Sequence, residues 1–273
     1  MPFDATSAVL LALLGVGVGA FGTVVGAGGG FVLTPVLLLL YPHESAQTLT
    51  AISLAAVFFN ASSGTVAYLR QGRVDVRSGL VFAAATTPGA VGGALLTGAV
   101  SRQVFDALMG SVLTLLAVWL LTGERWRPVL PRRGVVRRTF VDREGVAYEY
   151  DVPLVRGIVY SLGVGFVSSF LGIGGGVIHV PLLVRALGFP THVATATSHF
   201  VLAFMAGAGT VTHALAGSFA SGHGLRRAAA ISVGVVLGAQ VGARLSRRLH
   251  GRHIEWLLAA ALLALAARLF VSV

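Results

Sequence analysis

The chain contains no cysteine and no lysine, and only 11% of its 273 residues are charged. Without cysteine there can be no disulfide and no thiolate-bound metal. Without lysine the phosphate-binding loop, which needs that side chain against the phosphates, is excluded. A soluble domain carries about 25% charged residues. The shortage here, with 55% hydrophobic residues and a mean hydropathy of +0.85, is what a bilayer demands of helices that cross it. The formal net charge of +10 comes wholly from arginine. In a soluble chain it would suggest nucleic acid. Here the arginines sit between apolar stretches, so orientation in the membrane and contact with anionic lipid explain them, and no nucleic-acid partner is expected.

Inside this apolar sequence stands Gly26-Ala27-Gly28-Gly29-Gly30-Phe31-Val32-Leu33-Thr34-Pro35, which returns as Gly172-Ile173-Gly174-Gly175-Gly176-Val177-Ile178-His179-Val180-Pro181. Glycine weakens a helix and proline removes a backbone donor. In lipid that combination is tolerated only where the broken backbone faces a cavity or buried protein. Paired interruptions at matching places of two half-chains point to a transporter-type binding site. A dinucleotide reading fails, because no strand precedes the glycines and no βαβ unit follows.

Ala5 to Tyr41 is apolar throughout, too long for one span of about 20 residues, so the glycines must divide it. The N-terminal stretch lacks a basic region and a small-residue cleavage site, and is expected to be a retained helix. Further spans are expected at Thr48–Leu69, Gly79–Val100, Val104–Leu121, Leu154–Leu171, Val177–Leu187, Ala194–Leu215, Leu225–Leu245 and Ile254–Val271. Residues 123–153 form a basic polar linker, with Arg125, Arg127, Arg132, Arg133, Arg137, Arg138 and Arg143. Alternation over Val135–Val141 and Val146–Val152 there suggests a small β-hairpin; its plain alternative is a passive connector.

The halves, residues 1–122 and 154–273, match beyond the glycines. Thr50-Ala51-Ile52-Ser53 resembles Thr195-Ala196-Thr197-Ser198, Gly64-Thr65-Val66 recurs as Gly209-Thr210-Val211, and Gly89–Ala94 aligns with Gly238–Ala243. The fold class is therefore an all-α integral membrane protein of two repeats, each of about five helical segments, with glycine-rich broken helices or hairpins. If each break returns the chain or splits it into two short crossings, most arginines fall on one side. That side is then cytoplasmic, the linker with it, both termini are external, and the repeats are inverted.

On these motifs the chain resembles the sulfite exporter TauE/SafE family of bacterial membrane proteins, over nearly its whole length outside the linker. The resemblance implies an inner-membrane carrier of sulfur-containing anions such as sulfite, sulfoacetate or related organosulfonates. Which anion, and whether it is exported or imported, stay open.

Backbone amides at a helix N-terminus or in a glycine nest bind anions without a charged side chain. Gly28, Gly29 and Gly30 with Gly174, Gly175 and Gly176 are the candidate substrate site, two helix N-termini aimed at one midplane position. The plain alternative is close helix packing by small residues, which is the expectation for Gly89–Ala94 and Gly238–Ala243. Ser53, Asn60, Thr65, Ser198, His199, Thr210, His213 and Gln240 are polar residues within expected helices, and of these Ser53, Asn60, Ser198 and His199 are added to the candidate site. His213 is expected near the outer end of its span, in reach of water. His179 and His199 are candidates for a coupled proton; Leu33 and Leu54 occupy their places in the first half. Arg185 is expected to snorkel to the interface, the alternative being that it attracts anions into an inner vestibule. Ser62-Ser63-Gly64 with a histidine could imitate a protease dyad, but the repeat explains that glycine, and no enzyme is expected. No cofactor is expected. A passive channel, or a membrane scaffold or sensor, remains the alternative to a carrier, and a homodimer stays open because small-residue faces serve internal and external contacts alike.

Overall fold

The computed structural model describes residues 4–122, 133–220, 223–246 and, near the C-terminus, 256, 259–265 and 267. The first stretch of the linker, the arginines at 247, 248, 252 and 268, and half of the final expected span lie outside them. The protein is an all-α membrane protein: seven of the described helices are long and apolar enough to cross a bilayer.

In order, the elements are α1 (Ala5–Val24), α2 (Gly30–Leu40), α3 (Ala46–Gln71), α4 (Val76–Thr97), α5 (Arg102–Thr122), β1 (Val135–Val141), β2 (Ala147–Pro153), α6 (Leu154–Leu171), α7 (Gly176–Arg185), α8 (Thr191–Leu215) and α9 (Gly224–Ser246). Their starts follow ordinary capping chemistry. Asp4, Ser45 and Asp75 each accept a hydrogen bond from the backbone N–H three residues on, at 2.8, 3.1 and 3.0 Å. The helix α3 stops at Gly72, whose φ of +72° suits the left-handed cap.

The most extensive helix contacts pair α1 with α9, α4 with α6, and α3 with α8. In the first pair Ala12 lies against Gly234, Val16 against Gly238 and Ala20 against Gly242, so the two helices run parallel. In the second, Gly89 and Gly93 lie against Leu162 and Phe166, again parallel. Glycine lets these backbones touch, which is how helices associate where no hydrophobic drive exists. The helices α3 and α8 cross antiparallel, with Leu54 near Gly209 and Gly64 near His199. Ser63 Oγ donates to Val236 O and Gln71 Nε2 to Ala243 O, so α3 runs with α9. Helices α1, α3 and α9 thus share one direction, opposite to α8.

Both broken segments turn back on themselves. Arg156 at the start of α6 donates to Ala186 O just past the end of α7 (3.3 Å). Tyr41, just past α2, lies under the Arg227 guanidinium at 3.9 Å, and Glu44 pairs with it at 2.8 Å, at the beginning of α9. Since α9 runs beside α1, the chain is back at the end where α1 began. Each glycine break therefore closes a helical hairpin.

Strands β1 and β2 pair antiparallel, from Val135 opposite Pro153 to Val141 opposite Ala147. The hairpin is tied to the α3–α4 turn. Arg73 reaches Asp142 at 3.4 Å and Glu144 at 2.9 Å, while Tyr150 Oη donates to Asp75 Oδ2 at 3.1 Å. Burial opposes a charge on Asp142, but hydrogen bonds from the Val146 and Glu144 amides, Tyr148 and Arg73 outweigh it and hold the carboxyl below its usual range. A carboxyl depressed on docking contributes stability above its free value and loses it as pH falls through the docked one. Proteolysis of residues 135–153 is therefore expected to stay slow at neutral pH and to rise only below pH ~4, the ordinary carboxyl range. Asp142→Asn should make the hairpin cleavable at neutral pH.

Candidate functional site

The two glycine loops meet each other at mid-height of the α3–α8 crossing. Gly28 packs on Val57 of α3 and Leu202 of α8, and Gly174 on Val57 and Ala27. The turn after α1 is closed by Gly22 O, which accepts from Ala27 N at 2.8 Å and Gly28 N at 3.1 Å. Gly29 then caps α2 with φ +83°, a conformation only glycine adopts readily. The first amides of α2 and α7 have no partner within their own helices. Each helix start lies against the opposite loop: a methyl on Gly30 would be 2.7 Å from Gly172 O, and one on Gly176 would overlap Gly26 O. A carbonyl of one loop thus faces the positive end of the helix that follows the other.

Hydroxyls clamp those two carbonyls. Thr34 Oγ1 and Ser53 Oγ donate to Gly172 O at 2.7 and 2.8 Å. Ser198 Oγ, matched to Ser53 by the repeat, donates to Gly26 O at 3.3 Å. The loops touch without an intervening chamber. Beside them, the space bounded by Thr86, Gly175, Gly176, His179, Ser198 and Met205 has no room for a water molecule.

Asn60 and His199 join the first loop through Thr23. Asn60 Nδ2 donates to Gly28 O at 3.1 Å and Gly19 O at 3.3 Å, and Thr23 Oγ1 donates to Asn60 Oδ1 at 2.6 Å. His199 Nε2 lies 3.3 Å from the same hydroxyl. With that proton already given to Asn60, the contact is a hydrogen bond only if Nε2 carries hydrogen. Tyr68 Oη donates to Thr23 O at 2.7 Å and packs edge-on to the imidazole. All four side chains are buried.

Of the residues singled out in the sequence, the six glycines, Ser53, Ser198, Asn60 and His199 come together here. His179 is on the other flank, with Nε2 3.3 Å from Ser161 Oγ and its ring edge-on to Phe82. Gln240 binds Ser63 O and Thr210 its own helix at Ala206 O, both away from the loops. Arg185 donates to Trp119 O at 2.8 Å and stacks over that indole, an anchor near the ends of α5 and α7. His213 corrects the expectation of exposure: it is fully buried, because residues 216–218 fold over it and Ser218 Oγ lies 3.2 Å from Nδ1. Thr23, Thr34 and Tyr68 were not singled out. Threonine and tyrosine in an apolar span look ordinary, and only the three-dimensional crossing makes them partners of the loop. Among the described residues no group of three or more His, Asp or Glu side chains is arranged to hold a metal ion.

The pattern described as sulfite exporter TauE/SafE matches residues 11–269. Similar proteins include the probable membrane transporter protein YunE of Bacillus subtilis, 30% identical over 96% of this chain and 97% of its own. The probable membrane transporter protein ORF9 of a Sinorhizobium species is 28% identical over 90% of this chain and 86% of its own. The probable membrane transporter protein MJ0441 of Methanocaldococcus jannaschii is 21% identical over 93% and 91%. No solved structure matches significantly.

Proposed function

Because the chain belongs to the sulfite exporter TauE/SafE family and is a membrane transporter, we propose that it carries a small sulfur-containing anion, sulfite or an organosulfonate, by alternating access. The anion binds where the N-termini of α2 and α7 meet, and the two halves are inverted repeats around that point. The observation that carries this reading is the meeting of the two loops, each helix start facing an oxygen of the other. An anion with several oxygens can accept from the open first amides of the two helices once the loops part, with Ser53 and Ser198 beside it. The contact registers support inversion, since α1 and α3 run opposite to α8 and each half's first helix packs on the other's fourth.

Direct packing of the loops favours a carrier over a channel: solute passes only when they part. Orientation follows from charge. Arg70, Arg73, Arg77, Arg137, Arg138, Arg143, Arg185 and Arg244 lie toward the hairpin, against Arg102, Arg226 and Arg227 at the other end. By the positive-inside rule this distribution supports a cytoplasmic hairpin and an external start of α1.

Counterflow in proteoliposomes tests the carrier. Unlabelled sulfoacetate or sulfite inside should accelerate entry of the labelled anion, and absence of this trans-stimulation from every anion of a sulfite, sulfoacetate, sulfate and carboxylate panel would remove the reading. His199 serves as the coupled-proton group through Thr23. His199→Gln should flatten the pH dependence of uptake, and an unchanged profile in the variant excludes that role.

A further inference from the structure

Beyond the glycine loops, on the side away from the hairpin, the ends of α6 and α8 leave polar atoms unused. Ser168 Oγ, Ser169 Oγ and His213 Nε2 belong to fully buried side chains and make no hydrogen bond among the described residues. Hydroxyls elsewhere in the bundle settle the matter locally: those of Thr97 in α4, Thr114 in α5, and Thr210 and Thr212 in α8 each donate to the carbonyl four residues earlier. Ser168 and Ser169 do not. A buried polar group left open is destabilising, and several together call for an occupant that hydrogen-bonds.

Ser169 and His213 converge, with Ser168 next to Ser169 on α6. A methyl on Gly209 would lie 3.0 Å from Ser169 Oγ, and Gly209 stands one helical turn before His213 on the same face of α8. Thr50, whose Oγ1 is equally without a partner, approaches Gly172 from α3 with its methyl. By the repeat, Ser169 matches Thr23 and His213 matches Tyr68. Near the hairpin those two close on each other, Tyr68 donating to Thr23 O. On the far side His213 Nδ1 is engaged by Ser218, and Nε2 is left over.

We propose that Ser168, Ser169 and His213 form a second station for the transported oxyanion, on the far side of the loops from Thr23, Asn60 and His199. Two hydroxyls and an imidazole N–H suit an anion whose several oxygens accept hydrogen bonds. The station rests on the transport reading above and gives the anion its place in the other half of the cycle.

The chain's lack of cysteine makes the test direct. In proteoliposomes, Ser169→Cys should be modified by a membrane-impermeant sulfonated maleimide added on the side away from the hairpin. Sulfoacetate or sulfate at about ten times its half-saturating concentration should slow the reaction by about tenfold, as occupancy requires. A thiol unreactive from either side, or reacting at a rate that neither anion changes, overturns the station. Should Ser169→Cys not insert, Ser168→Cys is read the same way. An unreactive thiol in a protein that still shows counterflow discards the station and leaves the glycine-loop reading intact; lost counterflow in the unmodified protein is the failure of that reading instead.

Discussion

Gly176→Ala is expected to abolish anion uptake while the protein still inserts, whereas Gly175→Ala, one residue earlier, should transport nearly as well as the parent. Alanine fits the backbone at both sites: Gly175 has φ −57°, and Gly176 opens α7. The difference lies in what the methyl meets. At 175 it meets the Met205 thioether at 2.9 Å, the end of a flexible side chain that can turn aside. At 176 it overlaps Gly26 O and comes within 2.5 Å of Ala27 Cα, backbone that is held by Ser198 and by the turn onto Gly22. Overpacking of this kind costs about 1–3 kcal/mol or more, enough to shift the loops' closed arrangement by up to about 100-fold. Gly30→Ala should act alike, against Gly172 O. Initial rates in proteoliposomes, normalised to inserted protein, decide it. Parental uptake by Gly176→Ala would mean that contact between the loops is immaterial to transport.

The second large effect is expected at Asn60. Replacing it with leucine strands Gly28 O and the Thr23 hydroxyl together and takes a second donor from Gly19 O, which keeps its place in the α1 ladder. At about 1–3 kcal/mol per buried group, uptake should fall by at least about tenfold, and the thermal midpoint by several degrees, at about 2–4 °C per kcal/mol for a chain of this size. Met205 occupies the matching place in the second half, packs in an apolar cluster and lies against Gly175. Met205→Leu should therefore be nearly silent. Equal losses in both variants would show that the site reads packing volume and not hydrogen bonding.

The helical breaks were legible because glycine and proline conflict with an apolar span, and nothing but buried backbone resolves that conflict. Helix ends came within a few residues, with Val76 and Thr191 starting earlier than hydropathy suggests: an N-cap at Asp75, or a proline before Thr191, sets the start regardless of apolar content. What pattern could not reveal was pairing. The small residues of α1 look like those of α4 and α9, and nothing local says that Gly15 and Gly19 meet Ile231 and Val235. At the candidate site, Asn60 and His199 stand out as polar groups in apolar helices. Their link, Thr23, does not: its role depends on α1 ending beside α3. His213 was misplaced for a similar reason. Counting along a span locates a residue's depth but not the segment that folds back across it.

That pairing has a mechanical consequence. The first helix of each repeat is sealed, backbone on backbone, to the fourth helix of the other, through Gly234, Gly238 and Gly242 on one flank and Gly89 and Gly93 on the other. Neither gene half could swing as a rigid block without tearing one of these seams. In the proposed alternating access the rocking bodies would therefore be chimeric, α1 with α9 and α4 with α6, so a half expressed by itself would lack the surface against which its first helix is sealed.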